Sequence, residues 1–206
     1  MTTSEDRAQP GYDALADVYA QRFPTAYTSP LEQHAIAIFA DELPGPGARI
    51  VDVGCGTGHV AADLRGRGFE VRGVDPSEQM LTHARRAYPG ISFDVGDAWL
   101  RDVDLADVTG LIARFSLIHL PPDDVRAVLC SWHRRLPSGA TVLLALQSSD
   151  DPGVHEFDHA VARAWRWHPD ALAEDATTAG FTEAWRLISR PDNDNRFPHI
   201  HLLLRR

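Results

Sequence analysis

Apolar residues recur in this chain at two different intervals, and the change from one to the other marks out the elements. Tyr12, Leu15, Tyr19 and Phe23 repeat at helical spacing. Ser29-Pro30-Leu31-Glu32 then reads as a capping-box start for a second helix carrying Leu31, Ala35, Ile38 and Phe39. Pro44-Gly-Pro-Gly47 breaks the chain. Short apolar runs follow at 49–53, 69–74, 91–93 and 110–115, alternating with helices expected from about His59 to Arg67 and from Ser77 to Tyr88. A further helix starts at Pro121-Pro122 and carries Val125, Val128, Leu129, Trp132 and Leu136 on one face. Such alternation predicts an α/β fold, a doubly wound Rossmann-like sheet that is mostly parallel, behind an N-terminal helical cover.

The run Ala140 to Leu146 is apolar on both faces, which predicts an interior strand. Residues 147–169 show weak periodicity and many acids, histidines and tryptophans; 148–168 reads as a segment on the acceptor side. A helix from Pro169 to Ala179 comes next. Phe181 to Ser189 and His199 to Leu204, joined by a polar turn at 191–195, predict a C-terminal antiparallel hairpin.

The 206 residues, 44% of them hydrophobic, suffice for one well-filled α/β domain, expected over 1–206 with its helical cover at 1–46. The net charge of −9 argues against a sequence-independent grip on nucleic acid, and the arginine pairs 85–86, 134–135 and 205–206 are isolated. All 20 basic residues are arginine, which excludes a lysine Schiff base, a phosphate-loop lysine and tyrosine–lysine catalysis. Cys55 and Cys130 make neither a disulfide framework nor a zinc cluster, and no metal site is expected. Without an apolar leader or a span long enough for a bilayer, the expectation is a protein of the reducing cytoplasm with neither nucleic acid nor membrane as partner. Assembly as a homodimer stays open.

The chemistry concentrates at the strand ends. Arg49-Ile-Val-Asp-Val-Gly-Cys-Gly-Thr-Gly-His59 sets an acid and three glycines at the end of an apolar strand, and Asp75 closes the next one. Glycines allow backbone to approach a ligand, and an acid at the second strand end suits ribose hydroxyls. The glycine spacing alone is ambiguous: read from Gly56 it passes as a dinucleotide fingerprint. Asp52 inside the strand and Asp97 at the next strand end tip the balance, because three carboxylates and no lysine suit a ligand without phosphates.

Taken in order, Val51-Asp-Val-Gly-Cys-Gly-Thr-Gly58, Gly73-Val-Asp-Pro-Ser-Glu-Gln-Met-Leu81, Gly96-Asp97, Phe115-Ser-Leu-Ile-His-Leu120, Leu136-Pro-Ser-Gly-Ala-Thr-Val142 and Ala179-Gly-Phe181 resemble the class I S-adenosylmethionine-dependent methyltransferases. Tyr12 to Tyr19 is similar to the N-terminal helix of small bacterial members. The resemblance implies S-adenosylmethionine as cofactor. It places the loop Gly54, Gly56, Gly58 under the methionine part, with Asp52 near its ammonium group. Asp75 takes the ribose hydroxyls, Met80 packs on the adenine, and Asp97 and the Ala98 amide meet the adenine edge. Tyr12, Pro76 and Ser116 complete the expected cofactor set. For Met80, core packing is the competing reading.

His119 follows the fourth strand and is the candidate general base; its plain alternative is a bond to a loop carbonyl. Tyr12, Tyr19 and Phe23, with Trp165 and Trp167, are expected to line the acceptor side. His155 and His159 sit four apart, as on one helix face. The Asn-Pro-Pro-aromatic motif of enzymes that methylate planar amino groups is absent, since this chain reads Arg114-Phe-Ser-Leu117. The reading that results is methyl transfer to an oxygen or nitrogen of a small molecule. Its competitors are an NAD(P)-dependent oxidoreductase or nucleotide sensor, and a non-catalytic cofactor-binding domain.

Overall fold

The computed structural model describes residues 10–192 and 195–206. Helices α1 (Pro10–Arg22) and α2 (Pro30–Asp41) lead into β1 (Arg49–Val53), α3 (His59–Gly66), β2 (Glu70–Asp75), α4 (Glu78–Ala87), β3 (Ser92–Val95) and β4 (Val108–Arg114). After a short 3-10 turn at Leu117–His119 come α5 (Pro122–Arg135), β5 (Thr141–Gln147), β6 (Val154–Phe157), β7 (Ala164–Trp167), α6 (Pro169–Thr178), β8 (Thr182–Ser189) and β9 (His199–Arg205). Seven strands form one sheet in the order β3-β2-β1-β4-β5-β9-β8. The first five pair in parallel, and β9 lies antiparallel between β5 and β8. Strand order reverses between β1 and β4, so a crevice is expected outside their carboxyl ends.

Side-chain alternation divides the core into two layers. Ile50, Ile112 and Leu143 face Ile36 and Phe39 of α2, Leu64 of α3 and Leu81 of α4. Val51, Leu111 and Val142 face Trp132 of α5 and Leu172 of α6. The doubly wound sheet with its C-terminal hairpin is therefore the expected one. The tip at 191–195 includes Asn193 and Asp194, which lie outside the described residues.

Three expectations are corrected. Residues 154–157 are a strand, so His155 pairs across to Arg166 on β7 and shares no helix face with His159. Two strands of four residues each are too short for a period to declare itself, which hid this second sheet from the sequence. The capping box is offset by one residue. Ser29 Oγ accepts from the Glu32 amide at 3.3 Å, but Glu32 accepts from Thr28 N at 2.9 Å instead of from the cap. Glu32 is buried and paired with Arg114 at 3.0 Å, an ion pair tying α2 to the end of β4. Finally, Trp167 is fully buried in the α5–α6 layer and so cannot line a pocket. Trp165, half-buried, packs against the same layer.

His201 sits behind that ion pair with no exposed surface, and neither ring nitrogen has a hydrogen-bond partner among the described residues. Burial pushes its pKa down from 6.5 to about 4, aided by Arg114 and His199 and opposed by Glu32. The native ring therefore stays neutral below pH 6.5 while the unfolded chain takes up a proton, so stability is lost as pH falls from 6.5 towards 4. His201→Leu should remove that loss. Between pH 7.5 and pH 5 the variant should gain about 2 kcal/mol relative to the parent in urea unfolding. An equal difference at both pH values would contradict a neutral buried ring.

Candidate active site

The chain leaves β1 through a loop with left-handed backbone at Gly54 (φ 70°) and Gly56 (φ 54°). Val74 O at the end of β2 accepts from Gly54 N at 2.7 Å and Cys55 N at 3.1 Å, clamping the loop to the neighbouring strand. Ser116 Oγ donates to Val53 O at 2.7 Å from the other side. A Cβ at Gly54 would overlap the Ser116 side chain, whereas one at Gly56 would meet only the Met80 methyl at 3.3 Å. Gly54 is thus needed for packing within the protein, and Gly56 is the position left open to a ligand. The sequence treated the two alike.

Asp75 joins three elements. One carboxylate oxygen accepts from Gly56 N at 2.8 Å and the other from Ser77 N at 2.9 Å. Ser77 caps α4 by accepting from Met80 N at 3.1 Å, and its hydroxyl donates to Asp13 at 2.6 Å. Asp13 also accepts from Gln79 N at 3.2 Å. An acid from α1 thereby completes the N-terminus of α4, where negative charge is favoured. Its only trace in the sequence was an acidic residue in the first turn of α1.

Asp52 is 3% exposed, and its Oδ2 has no partner among the described residues. Burial raises its pKa to about 7; Asp75 adds to the rise, while Arg114 and the Ala61 amide oppose it. Asp75 is likewise pushed up to about 6 by burial, against its two backbone bonds. Two carboxylates that resist ionisation beside a glycine loop fit a ligand that brings positive charge. They oppose one that brings phosphates.

Across the crevice, His119 lies in the 3-10 turn after β4. Its Nδ1 is 2.8 Å from Arg163 O, so this nitrogen carries the proton and donates. Nε2 is then the acceptor for the Tyr12 hydroxyl at 3.0 Å. Burial lowers the His119 pKa to about 4, and burial raises that of Tyr12, so both are neutral at pH 7. The plain alternative weighed for His119, a bond to a loop carbonyl, is present through Nδ1, and Nε2 is engaged by Tyr12. Gly11 abuts the Val161 carbonyl so closely that a Cβ there would overlap it, which sets α1 against the β6–β7 loop.

Of the other expected residues, Asp97 lies just past β3 and accepts from Trp99 N at 2.9 Å, bordering a cavity of about 240 Å³. The Ala98 carbonyl accepts from Trp132 Nε1 at 2.8 Å. Pro76 is half-buried between Asp75 and Ser77. Met80 is 2% exposed beneath the loop, as its packing reading requires. The rings of Tyr19, in α1, and Phe23, just past its end, meet at 4.7 Å with their planes tilted by 45°. Asp13, Arg114 and Phe157 are the residues near this edge that sequence reasoning missed.

A doubly wound sheet whose first loop is glycine-rich, with acids at three successive strand ends, is the arrangement expected of a class I S-adenosylmethionine-dependent methyltransferase domain. Residues 50–139 match the family model described as methyltransferase domain. The carboxy-S-adenosyl-L-methionine synthase of Shewanella loihica is 30% identical over 130 residues, 58% of this chain and 54% of that protein. The magnesium-protoporphyrin O-methyltransferase of Rhodobacter capsulatus is 33% identical over 116 residues, 53% of this chain and 51% of that one. The chain thus spans about half the length of these curated relatives. In fold it is similar to 1,6-didemethyltoxoflavin-N1-methyltransferase of Burkholderia thailandensis, solved with 1,6-didemethyltoxoflavin and S-adenosylhomocysteine. That match has a TM-score of 0.79 and 22% identity, covering 100% of this chain and 91% of that one. In sequence over residues 50–139 and in fold over its whole length, this chain is similar to S-adenosylmethionine-dependent methyltransferases, which makes S-adenosylmethionine the cofactor expected at this site. No helix among the described residues is long and apolar enough to cross a membrane.

Two outcomes test this geometry. Gly54→Ala should destabilise the ligand-free protein by about 2–4 kcal/mol, from overlap plus left-handed strain. Gly56→Ala should cost only about 1–2 kcal/mol, the strain alone; equal losses in urea unfolding would refute the division of roles. A cationic ligand should also lower the raised pKa values of Asp52 and Asp75, so binding releases protons. Calorimetry of S-adenosylmethionine at pH 7 in buffers of different ionisation enthalpy should read up to roughly half a proton released, and much less in Asp52→Asn. Proton uptake would reverse the electrostatic account.

Proposed function

We propose that this protein transfers the methyl group of S-adenosylmethionine to an oxygen or nitrogen of a small molecule. The observation that carries the reading is the buried, half-partnered Asp52 carboxylate beside a glycine loop that Asp75 holds open at Gly56. The cofactor supplies an electrophilic methyl on a positively charged sulfur with a neutral leaving group. Asp75 holds the ribose hydroxyls, Asp97 and the Ala98 amide meet the adenine, and Asp52 balances charge at the methionine end. The two N-terminal helices and residues 148–168 wall the acceptor side of one domain. A dinucleotide is disfavoured by the same carboxylates, since its pyrophosphate would add negative charge to theirs.

What remains for the protein is alignment, exclusion of water and removal of one proton. His119 Nε2 is the group for the last task. With its pKa lowered to about 4 the imidazole is a weak base, so it cannot strip a proton from a neutral alcohol in advance. It can take one from an acceptor atom that has become positively charged by attacking the methyl group. The ring is unprotonated at any pH well above 4, and its orientation is fixed by the bond to Arg163 O.

Asp75→Ala should weaken S-adenosylhomocysteine binding by about 1.5–3 kcal/mol, the range for bonds to a charged group; unchanged affinity in a folded variant removes Asp75 from the site. An acceptor screen with labelled methyl donor decides between an enzyme and a binding domain. On the acceptor so found, His119→Ala should keep its cofactor affinity and lose about 10²–10⁴ in turnover. The parent's acidic limb should lie near pH 4 and vanish in the variant. A loss below about fivefold would leave alignment alone to carry the reaction.

A further inference from the structure

From the side of the cofactor loop where β4 ends, aromatic rings follow one another without a break. Tyr19 touches Phe23 at 4.7 Å and Tyr12 at 5.9 Å, and Tyr12 meets His119 at 5.4 Å. His119 contacts His159 at 4.9 Å, which leads through Phe157 at 5.9 Å to Phe197 at 5.1 Å. These rings come from α1, the 3-10 turn, the β6–β7 hairpin and the entry to β9, and every one is half-buried. A core would bury them fully, and a surface would scatter them.

Behind the arc lies Phe115, held at φ 52° as the chain leaves β4, a left-handed conformation that costs a bulky residue strain. That conformation sets its ring at 4.8 Å from His199 and 6.3 Å from His201, with the Arg114 guanidinium 5.5 Å from the ring centre. Beside it, Arg114 Nε and Gln147 Oε1 have no hydrogen-bond partner among the described residues. Such a donor and acceptor set, shielded from water, is complementary to a polar edge and poorly matched to a hydrocarbon.

Resting on the methyltransferase reading above, we infer that the methyl acceptor is a planar heteroaromatic molecule. Its faces lie against the ring arc, and its heteroatom edge turns towards Arg114 and Gln147. A saturated ring or an acyclic chain leaves the flat ring surfaces uncovered, while a flat hydrocarbon leaves the polar atoms unpaired.

The test uses the full chain saturated with S-adenosylhomocysteine, titrated with quinolinol and lumazine as flat heterocycles, and with decahydroquinolinol and inositol as saturated polar counterparts. At least one flat probe should bind about tenfold or more tightly than either saturated one. Phe157→Ala and Phe157→Leu should lose that preference and Phe157→Tyr keep it, with S-adenosylhomocysteine affinity unchanged in all three. The inference is overturned if neither flat probe is preferred, or if the preference survives in both ringless variants. Failure of S-adenosylhomocysteine itself to bind the parent protein would instead strike the reading beneath.

Discussion

The carboxylate of Asp75 is the junction on which the site depends. Its two oxygens take backbone amides from the glycine loop and from the start of α4, and Ser77 passes the connection on to Asp13 of α1. A charged acceptor for buried amides contributes about 1.5–3 kcal/mol per bond, enough to hold an otherwise left-handed loop in place. Because the same group stands at the carboxyl end of β2, next to the loop that leaves β1, the interaction that shapes the loop also borders the crevice. Burial makes this expensive, as the raised pKa of Asp75 records. A bound cation repays part of that cost, so cofactor and scaffold stabilise each other.

Charge organises the rest of the crevice. Asp52 is raised by burial and by Asp75, and Asp75 by burial and by Asp13, whereas His119 and His201 are lowered by burial. These shifts act in opposite directions on stability. The raised acids bind protons in the native state and gain stability as pH falls below 7; the depressed histidines lose it below 6.5. Such compensation lets a site carry four buried titratable groups without a steep dependence on acidity. It also keeps His119 neutral, with one nitrogen committed to Arg163 O and the other turned to Tyr12.

Closure comes from elements remote in sequence. α1 is fastened to α4 through Asp13 and through Asp17 with His83 at 2.9 Å, and it meets the β6–β7 loop at Gly11. Arg114 links β4 to Glu32 of α2 and to the Ala26 carbonyl at 3.2 Å. The crevice beyond β4 is thus bordered by parts of the chain that meet only because β4 ends between them.

Much of this was legible in the sequence. Alternating apolar runs and helical stripes gave the parallel sheet, its order of elements and the hairpin, since burial on one or two faces leaves a period that composition cannot hide. Glycines and acids at strand ends pointed to the cofactor side, because backbone approach and ribose binding demand those residue types at that spacing. Pairings between distant residues left no such trace. Nothing local marks Asp13 as a cap for α4, Glu32 as the partner of Arg114, or Gly54 as a seat for Ser116. The four-residue strands β6 and β7 were too short to show a period, so His155 and His159 looked helical and Trp167 looked available. Tertiary packing alone decided that Trp167 is fully buried in the core while Phe157 stays half-buried at its margin beside His159 and Phe197, because facing is set by how a hairpin lies on its sheet and not by its residues one at a time.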